Sequence, residues 1–133
     1  MLLANISRAA SRLLALTGML GALIVGIPGT AQAAASPCPG TKIDSQWLPY
    51  GAIELYYSNG YNCVIARHNL KDSTVKRAMQ ASIRLSSSDT WITDEGVYNY
   101  YAGPVTIYAA GKCIDWGGGV LLQYTWTYDD HCG

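Results

Sequence analysis

The sequence predicts a small all-β protein, an antiparallel sandwich or barrel held together by two disulfides. Short β-prone runs alternate with Gly, Pro, Asn and Asp turn signals throughout residues 50–133. The 4 cysteines all lie outside the apolar N-terminal segment. The chain has 133 residues, which suits one domain. Frequent turns, an even number of cysteines and modest length together favour a small antiparallel β domain.

Residues 1–33 have the features of a cleaved signal peptide. Two arginines precede an uncharged run, residues 13–27, which is shorter than the roughly 20 residues of a membrane-spanning helix. The small residues that end at Ala33 form a cleavage site. Cleavage two residues later, at Ala35, and an uncleaved anchor are the alternatives. Cleavage leaves residues 34–133 as one secreted domain, slightly acidic because the two arginines leave and no acid does.

Four cysteines in an exported domain predict two disulfides. They allow three pairings, and the sequence does not choose among them. We favour Cys38 with Cys63 and Cys113 with Cys132, because each pair closes a short local loop that would contribute about 3 kcal/mol of stability. We expect no metal and no cofactor, since the sequence has no C-x-x-C pair and His131 lacks a second ligand at zinc spacing.

The first predicted hairpin joins strands at residues 52–57 and 61–67. Asn59-Gly60 lies between them, and this dipeptide favours the two positive-φ positions of a tight hairpin turn. Residues 79–85 alternate between apolar and polar side chains, which predicts a further strand with one buried face.

The second half of the domain predicts more short strands, giving six or seven in all. They cover residues 90–93, 112–116, 121–127 and one run in which Gly103-Pro104 separates residues 97–101 from 105–108. Breaks between them are expected at three sites, which are Asp94-Glu95-Gly96, Gly117-Gly118-Gly119 and Tyr128-Asp129-Asp130. Pro104 cannot donate to a ladder and is expected on an edge strand, at a bulge or in a bend.

Aromatic residues are the most informative feature of the composition, with 10 Tyr and 4 Trp but no Phe. Tyr and Trp combine an apolar ring with a polar tip, so they suit half-buried or interfacial positions. They either fill a small core or form an exposed patch for a sugar polymer, a protein partner or self-association. The candidate binding residues are Tyr98, Tyr100, Tyr101, Trp116 and Trp126, and Trp91 and Tyr128 are candidates for the same shallow platform.

The sequence contains no credible catalytic constellation, so we expect no enzyme. His131 follows Asp129-Asp130, but a histidine this close to the chain end is interpreted as a surface residue on a terminal turn, and His68 as a loop cap. Asp94-Glu95 and Asp129-Asp130 are interpreted as solvated turn acids, because adjacent strand residues point to opposite faces. No G-x-S-x-G or P-loop motif occurs.

Three segments of the domain resemble the spore-associated protein A family of actinobacteria. They are Tyr98-x-Tyr100-Tyr101-Ala102-Gly103-Pro104-Val105, Gly111-Lys112-Cys113-Ile114-Asp115-Trp116-Gly117-Gly118 and His131-Cys132-Gly133. The hairpin that contains Asn62-Cys63-Val64 fits the same pattern. The resemblance covers residues 50–133. It implies a small secreted protein associated with spores or aerial growth in mycelial bacteria, and it brings no catalytic residues.

The expected function is therefore that of a non-enzymatic protein of the spore or mycelial surface that acts through surface contacts. A carbohydrate- or wall-binding module and a secreted protease inhibitor are the alternatives. We expect partners among spore or cell-wall components or other secreted proteins. The balance of 9 basic and 9 acidic residues argues against nucleic acid, and signal cleavage leaves no membrane anchor.

Overall fold

The computed structural model describes residues 36–133, which form two four-stranded antiparallel sheets that share one core. This arrangement confirms the predicted all-β class. The predicted signal peptide, residues 1–33, lies outside the described residues. Within residues 36–133, no helix is long and apolar enough to cross a bilayer.

Eight strands follow one another along the described chain. They are β1 (Thr41–Leu48), β2 (Gly51–Ser58), β3 (Tyr61–His68), β4 (Arg77–Leu85), β5 (Ile92–Tyr98), β6 (Tyr101–Tyr108), β7 (Ile114–Val120) and β8 (Gln123–Asp130). The first sheet has the order β1-β2-β3-β6 and the second has the order β5-β4-β7-β8. The chain therefore crosses between the sheets after β3, after β5 and after β6.

The β2–β3 hairpin has the predicted turn. Asn59 and Gly60 adopt φ values of 48° and 85°, as a two-residue hairpin turn requires. The predicted alternation in residues 79–85 is also confirmed. Met79, Ala81 and Ile83 are buried between the sheets, whereas the residues between them point to the opposite face of β4.

The core lies between the two sheets and combines side chains from both. Its largest members are Ile53, Leu55 and Val64 from the first sheet and Ile83, Ile114, Trp116 and Val120 from the second. Complete burial of such a side chain contributes roughly 1.5–3 kcal/mol. The core therefore provides the main force that holds the two sheets together.

The cysteines form two disulfides, Cys38–Cys63 and Cys113–Cys132. These are the two pairings that the short loops favour. The Cys38–Cys63 disulfide also contributes to a second buried cluster. In this cluster Cys38 and Cys63 contact Ile65, and Tyr56 packs against them. Ile65 alternates with the core residues of β3 and therefore faces away from the core. The segment around Cys38 thus covers the outer face of the first sheet.

The structure has eight strands where the sequence predicts six or seven, and β1 accounts for the additional strand. β1 is not predicted, because this edge strand is largely polar and a register shift between Lys42 and Asp44 breaks its alternation. Residues 97–101 are not one strand. β5 ends at Tyr98 and β6 begins at Tyr101, so this segment carries the chain from the second sheet to the first.

The three predicted breaks are wrong, because each lies within a strand. Asp94-Glu95-Gly96 pairs with β4, and the Asp94 carboxylate accepts hydrogen bonds from the Tyr98 hydroxyl and, at 2.7 Å, from the Gly103 amide. Gly117-Gly118-Gly119 lies in β7, and Tyr128-Asp129-Asp130 ends β8. Asp129 has a φ of 51° beside a register shift, so the polar pair marks an irregular strand end, not a turn.

Pro104 lies where the sequence predicts it. β6 is an edge strand of the first sheet, and its pairing with β3 shifts register between Val64 and Ala66, close to the cis Gly103–Pro104 bond. The proline thus occupies an edge strand at an irregularity, where its missing N–H removes no ladder hydrogen bond.

Candidate binding face

The structure does not bring the five predicted binding residues onto one surface. Trp116 is fully buried in the core, and its Nε1–H donates to Asp130 Oδ2 at 3.0 Å. The prediction that it contributes to a binding surface is wrong. Alternation along β7 turns Trp116 inward and its neighbours Asp115 and Gly117 outward.

The three predicted tyrosines lie together at the β5–β6 connection. Tyr98 is partly buried against the core, Tyr101 is partly buried, and Tyr100 is exposed. With Asn99 and Gly103 they line a shallow cavity of about 260 Å³ at the edge of the sandwich. Of the five predicted residues, Trp126 is the one on an open sheet face.

Trp126 belongs to a surface that we call the aromatic face, which is the outer face of the second sheet. Its members are Gln80, Ser82, Trp91, Thr93, Gly117, Gly119, Tyr124, Trp126 and Tyr128. Tyr124, Trp126 and Tyr128 alternate along β8, so the strand period places their rings on one side. The structure therefore brings together Trp91, Trp126 and Tyr128 of the platform candidates and excludes Trp116.

The glycine run in β7 makes room for these rings. Gly117 pairs with Trp126, and Gly119 pairs with Tyr124. A Cβ on Gly119 would lie 2.5 Å from two ring atoms of Tyr124, and a Cβ on Gly117 would lie 2.8 Å from the Trp126 ring and 2.2 Å from the Thr125 carbonyl oxygen. The rings of Trp126 and Tyr124 therefore rest against the bare backbone of β7.

A groove of about 260 Å³ opens on the aromatic face. Its lining side chains are Gln80, Ser82, Trp91, Thr93, Trp126 and Tyr128. The rings of Trp91 and Trp126 meet edge to face, with centroids 5.2 Å apart. The Arg84 guanidinium lies 4.5 Å from the Trp91 ring centroid and adds a cation–π contact.

Polar side chains from β4 and β5 contribute hydrogen-bonding groups to the groove. Gln80 Nε2 donates to Ser82 Oγ at 3.1 Å, and Ser82 Oγ lies 2.9 Å from Thr93 Oγ1. This chain of an amide and two hydroxyls beside three aromatic rings combines an apolar surface with a few fixed polar groups, which is typical of ligand sites.

A second depression, of about 160 Å³, adjoins the groove along the same face. Gln80 lines both, and the second one is also bordered by Glu95, Val97, Leu122 and Tyr124. The aromatic face therefore offers an elongated surface with two neighbouring depressions.

Asp115 fixes one end of the aromatic face. It is 2% exposed and accepts hydrogen bonds from Arg84 Nε at 2.7 Å, Ser86 Oγ at 2.6 Å and the Asp129 amide at 2.9 Å. Burial opposes its ionisation, but the hydrogen bonds from Ser86, Asp129 and Arg84 outweigh burial and lower the pKa of Asp115. The ionised carboxylate thus holds Arg84 against Trp91.

The two histidines are both engaged in contacts. His68 Nδ1 accepts a hydrogen bond from the Leu70 amide at 3.2 Å, which agrees with its predicted role as a loop cap. His131 is not a free surface residue, because its Nε2 lies 3.1 Å from Asp44 Oδ2 and 3.3 Å from Asp130 Oδ2. The interpretation of Asp130 as a solvated turn acid is therefore wrong as well.

Comparison with curated proteins gives a match to Spore-associated protein A from Streptomyces coelicolor, with 35% identity over 85 residues. The chain resembles spore-associated protein A. This finding confirms the resemblance that the sequence motifs indicate. The aligned region covers 62% of this chain and 54% of the relative, so the chain spans about half the length of spore-associated protein A. No family profile and no solved structure matches the chain.

Part of the aromatic face is not predicted by the sequence. Tyr124 and the polar residues Gln80, Ser82 and Thr93 were not among the candidates, although residues 124–128 show aromatic side chains at every second position. Gly117 and Gly119 oppose these aromatic residues on the neighbouring strand, but the sequence shows only an unbroken Gly117-Gly118-Gly119 run there. The alternation of residues 124–128 therefore indicates one aromatic face on β8, whereas the burial of Trp116 follows from the direction of β7 in the folded sheet.

Proposed function

We propose that the chain is a secreted, non-enzymatic protein of the spore or mycelial surface, and that its aromatic face attaches it to a sugar polymer there. The groove between Trp91, Trp126 and Tyr128 is the observation that carries this proposal. Surface association is supported by the name of the relative, spore-associated protein A, which denotes no enzyme. Two disulfides suit an oxidising extracellular compartment.

The chemistry of the groove matches that of a sugar ring. A pyranose has an apolar face of C–H groups and a rim of hydroxyls. The rings of Trp126 and Tyr128 offer apolar contact area, while Gln80, Ser82 and Thr93 offer amide and hydroxyl groups for the rim. A purely apolar partner would leave these polar groups without compensation for lost water.

The lining of the groove favours a neutral ligand. All six side chains that border it are uncharged, and the nearby Arg84 is neutralised by Asp115 at 2.7 Å. The adjoining depression beside Tyr124 extends the surface in one direction. Two neighbouring depressions suit a chain of linked sugar rings better than a single small molecule.

Retention on insoluble polymers tests this proposal. Purified protein is mixed with chitin, cellulose or peptidoglycan, and the bound fraction is measured for the wild type, Trp126→Ala and Trp47→Ala. Trp47 is a matched control because it is 78% exposed and lies on β1 of the first sheet, away from the aromatic face. We expect the wild type to be retained on at least one polymer and Trp126→Ala to lose about 2 kcal/mol, a roughly 30-fold weaker affinity.

Two outcomes would contradict the proposal. Failure of the wild type to bind any wall or spore polymer would remove sugar binding as the function. Equal losses in Trp126→Ala and Trp47→Ala would indicate nonspecific adsorption through exposed indoles. Fractionation of the producing culture tests the location, since recovery in the supernatant with no enrichment in the wall or spore fraction would exclude surface association.

A further inference from the structure

On one side of the sandwich, β1 is the edge strand of the first sheet and β8 is the edge strand of the second. We call the boundary between these two strands the seam. Side chains connect these strands across the seam. Gln46 Nε2 on β1 donates to Thr127 Oγ1 on β8, and Asp44 on β1 contacts His131, which follows β8. The seam uses side chains of β8 other than those of the aromatic face, and the proposed sugar binding makes no use of them.

Three potential metal ligands converge at one point of the seam. Oxygen atoms of Asp44 and Asp130 and a ring nitrogen of His131 all lie within 4.8 Å of one another. His131 Nε2 is 3.1 Å from Asp44 Oδ2 and 3.3 Å from Asp130 Oδ2. All three residues are partly buried. The cluster is not visible as a motif, because Asp44 and His131 are separated by 87 positions in the sequence.

These separations agree with the ligand shell of a small divalent cation. Zinc lies about 2.1 Å from nitrogen and oxygen ligands, so two ligands of a tetrahedral site are about 3.4 Å apart. The two distances from His131 Nε2 are close to this value.

Ion pairing alone leaves the charge of the cluster unbalanced, because two carboxylates and one protonated imidazole sum to a net negative charge. A divalent cation bound to two carboxylates and a neutral imidazole balances it.

Two of the ligands are already oriented by other groups of the protein. The Ser45 amide donates to Asp44 Oδ1 at 2.7 Å, which leaves Oδ2 directed at His131. Trp116 Nε1 in the core donates to Asp130 Oδ2 at 3.0 Å. Such outer contacts fix ligand geometry in metal sites.

A separate observation points to a polar occupant beside this cluster. His131 lines a cavity of about 170 Å³ together with Asn62, Tyr57 and Gly133. Asn62 is 3% exposed, and its buried Oδ1 has no hydrogen-bond partner among residues 36–133. A buried carbonyl oxygen without a donor is costly. Because His131 lines the same cavity, solvent held there would supply this oxygen with a donor.

We propose that Asp44, Asp130 and His131 bind one divalent transition-metal ion of the zinc class, with solvent from the adjoining cavity completing the coordination. The mixed oxygen and nitrogen ligand set favours Zn²⁺ over Ca²⁺, which takes oxygen ligands. Because Asp44 belongs to the first sheet and Asp130 to the second, the bound ion ties their edges together. Its role is to stabilise the extracellular domain.

Calorimetric titration and thermal unfolding test this site. The full protein is stripped with a chelator and titrated with Zn²⁺, and Tm is measured with and without the ion. We expect one Zn²⁺ per chain, a rise in Tm of several degrees, and binding that is at least roughly tenfold weaker in Asp44→Asn and His131→Gln. Asp89→Asn is the control, since it removes the same charge from an exposed loop residue and should bind Zn²⁺ like the wild type.

The imidazole resonances of the wild type give a second readout that does not depend on the folding of any variant. One equivalent of Zn²⁺ should shift the ring signals of His131 and leave those of His68 in place. Absence of Zn²⁺ binding by the wild type, undiminished binding in both variants, or a shift confined to His68 would each overturn the proposal. If Ca²⁺ bound with the same affinity as Zn²⁺, the proposed role of the His131 imidazole as a metal ligand would be overturned.

Discussion

The outer faces of the two sheets differ in how their large side chains are covered, as a comparison of Ile65 with the aromatic face shows. Each sheet carries large side chains on the side that faces away from the core. On the first sheet, Ile65 is completely buried because the segment around Cys38 is held over it by the Cys38–Cys63 disulfide. On the second sheet, Trp126 and Tyr128 remain 37% and 57% exposed, and no described segment covers them.

The residue types explain why Ile65 is covered while Trp126 and Tyr128 stay exposed. The covered patch around Ile65 uses an aliphatic residue and a disulfide, and Glu54 beside them is neutralised by Lys42 at 3.4 Å and Arg67 at 3.6 Å. Elsewhere on the first sheet, Trp47, Tyr61 and Tyr108 are exposed. The open face uses Trp and Tyr, whose polar tips tolerate water. What sets the aromatic face apart is that its exposed rings line a groove with fixed polar groups, and this makes it the better candidate for function.

Ile65→Ala tests the covered face and should give the largest change in stability. Truncation of a fully buried isoleucine removes apolar contacts and leaves a cavity, so we expect a loss of about 3 kcal/mol. Tyr128→Ala on the open face should cost less than about 1 kcal/mol. Urea unfolding of both variants measures the difference, and equal losses would mean that the two outer faces are not distinct.

Asp115→Asn tests the anchor at the end of the aromatic face. The amide cannot replace the charge that Arg84, Ser86 and the Asp129 amide surround, so we expect a loss of about 2–3 kcal/mol at neutral pH. Because folding lowers the pKa of Asp115, its contribution is present above the ordinary aspartate value of 3.8 and is lost as the pH falls below it.

The pH dependence of unfolding checks this assignment. The stability difference between the wild type and Asp115→Asn should be largest near pH 7 and should shrink below about pH 4. A difference that stays constant from pH 7 to pH 2 would show that the charge of Asp115 contributes nothing. The exposed Asp72→Asn serves as the control and should change stability little at pH 7.

Gly119→Ala should have a smaller effect on stability and a clear effect on binding. The new Cβ would meet the Tyr124 ring at 2.5 Å and push it away from β7, at a cost of about 1–2 kcal/mol. Gly111→Asn is the control, because Gly111 has open space around it and asparagine tolerates its positive φ of 68°. Unchanged polymer retention in Gly119→Ala would argue that Tyr124 takes no part in binding.

The sequence predicts the parts of the fold that depend on local signals. Asn59-Gly60 and the alternation of residues 79–85 act over a few residues, and both are confirmed. Gly117-Gly118-Gly119 misleads because its function is non-local: the glycines lie in a buried strand to accommodate rings from β8. The cluster of Asp44 with His131 is equally hidden, since only the sandwich brings these residues together.

The candidate site, like the fold, is predicted by the sequence only where local signals determine it. Composition indicates Tyr and Trp, but the single strand predicted at residues 97–101 is wrong because the chain changes sheets there. Trp116 is a candidate by residue type alone, and its position between two outward-facing neighbours places it in the core. Side-chain direction on β7 and β8 separates Trp116 from Trp126, and this direction depends on which face each sheet buries.

The indole N–H signals of the four tryptophans report directly on whether a sugar ligand binds at the aromatic face. Soluble oligosaccharides from the polymer that retains the wild type are titrated into ¹⁵N-labelled protein, and the four indole signals are followed by NMR. We expect the signals of Trp91 and Trp126 to shift with the same affinity, while those of exposed Trp47 and buried Trp116 do not move. Shifts confined to Trp47, or equal shifts in Trp47 and Trp126, would contradict a binding site on the aromatic face.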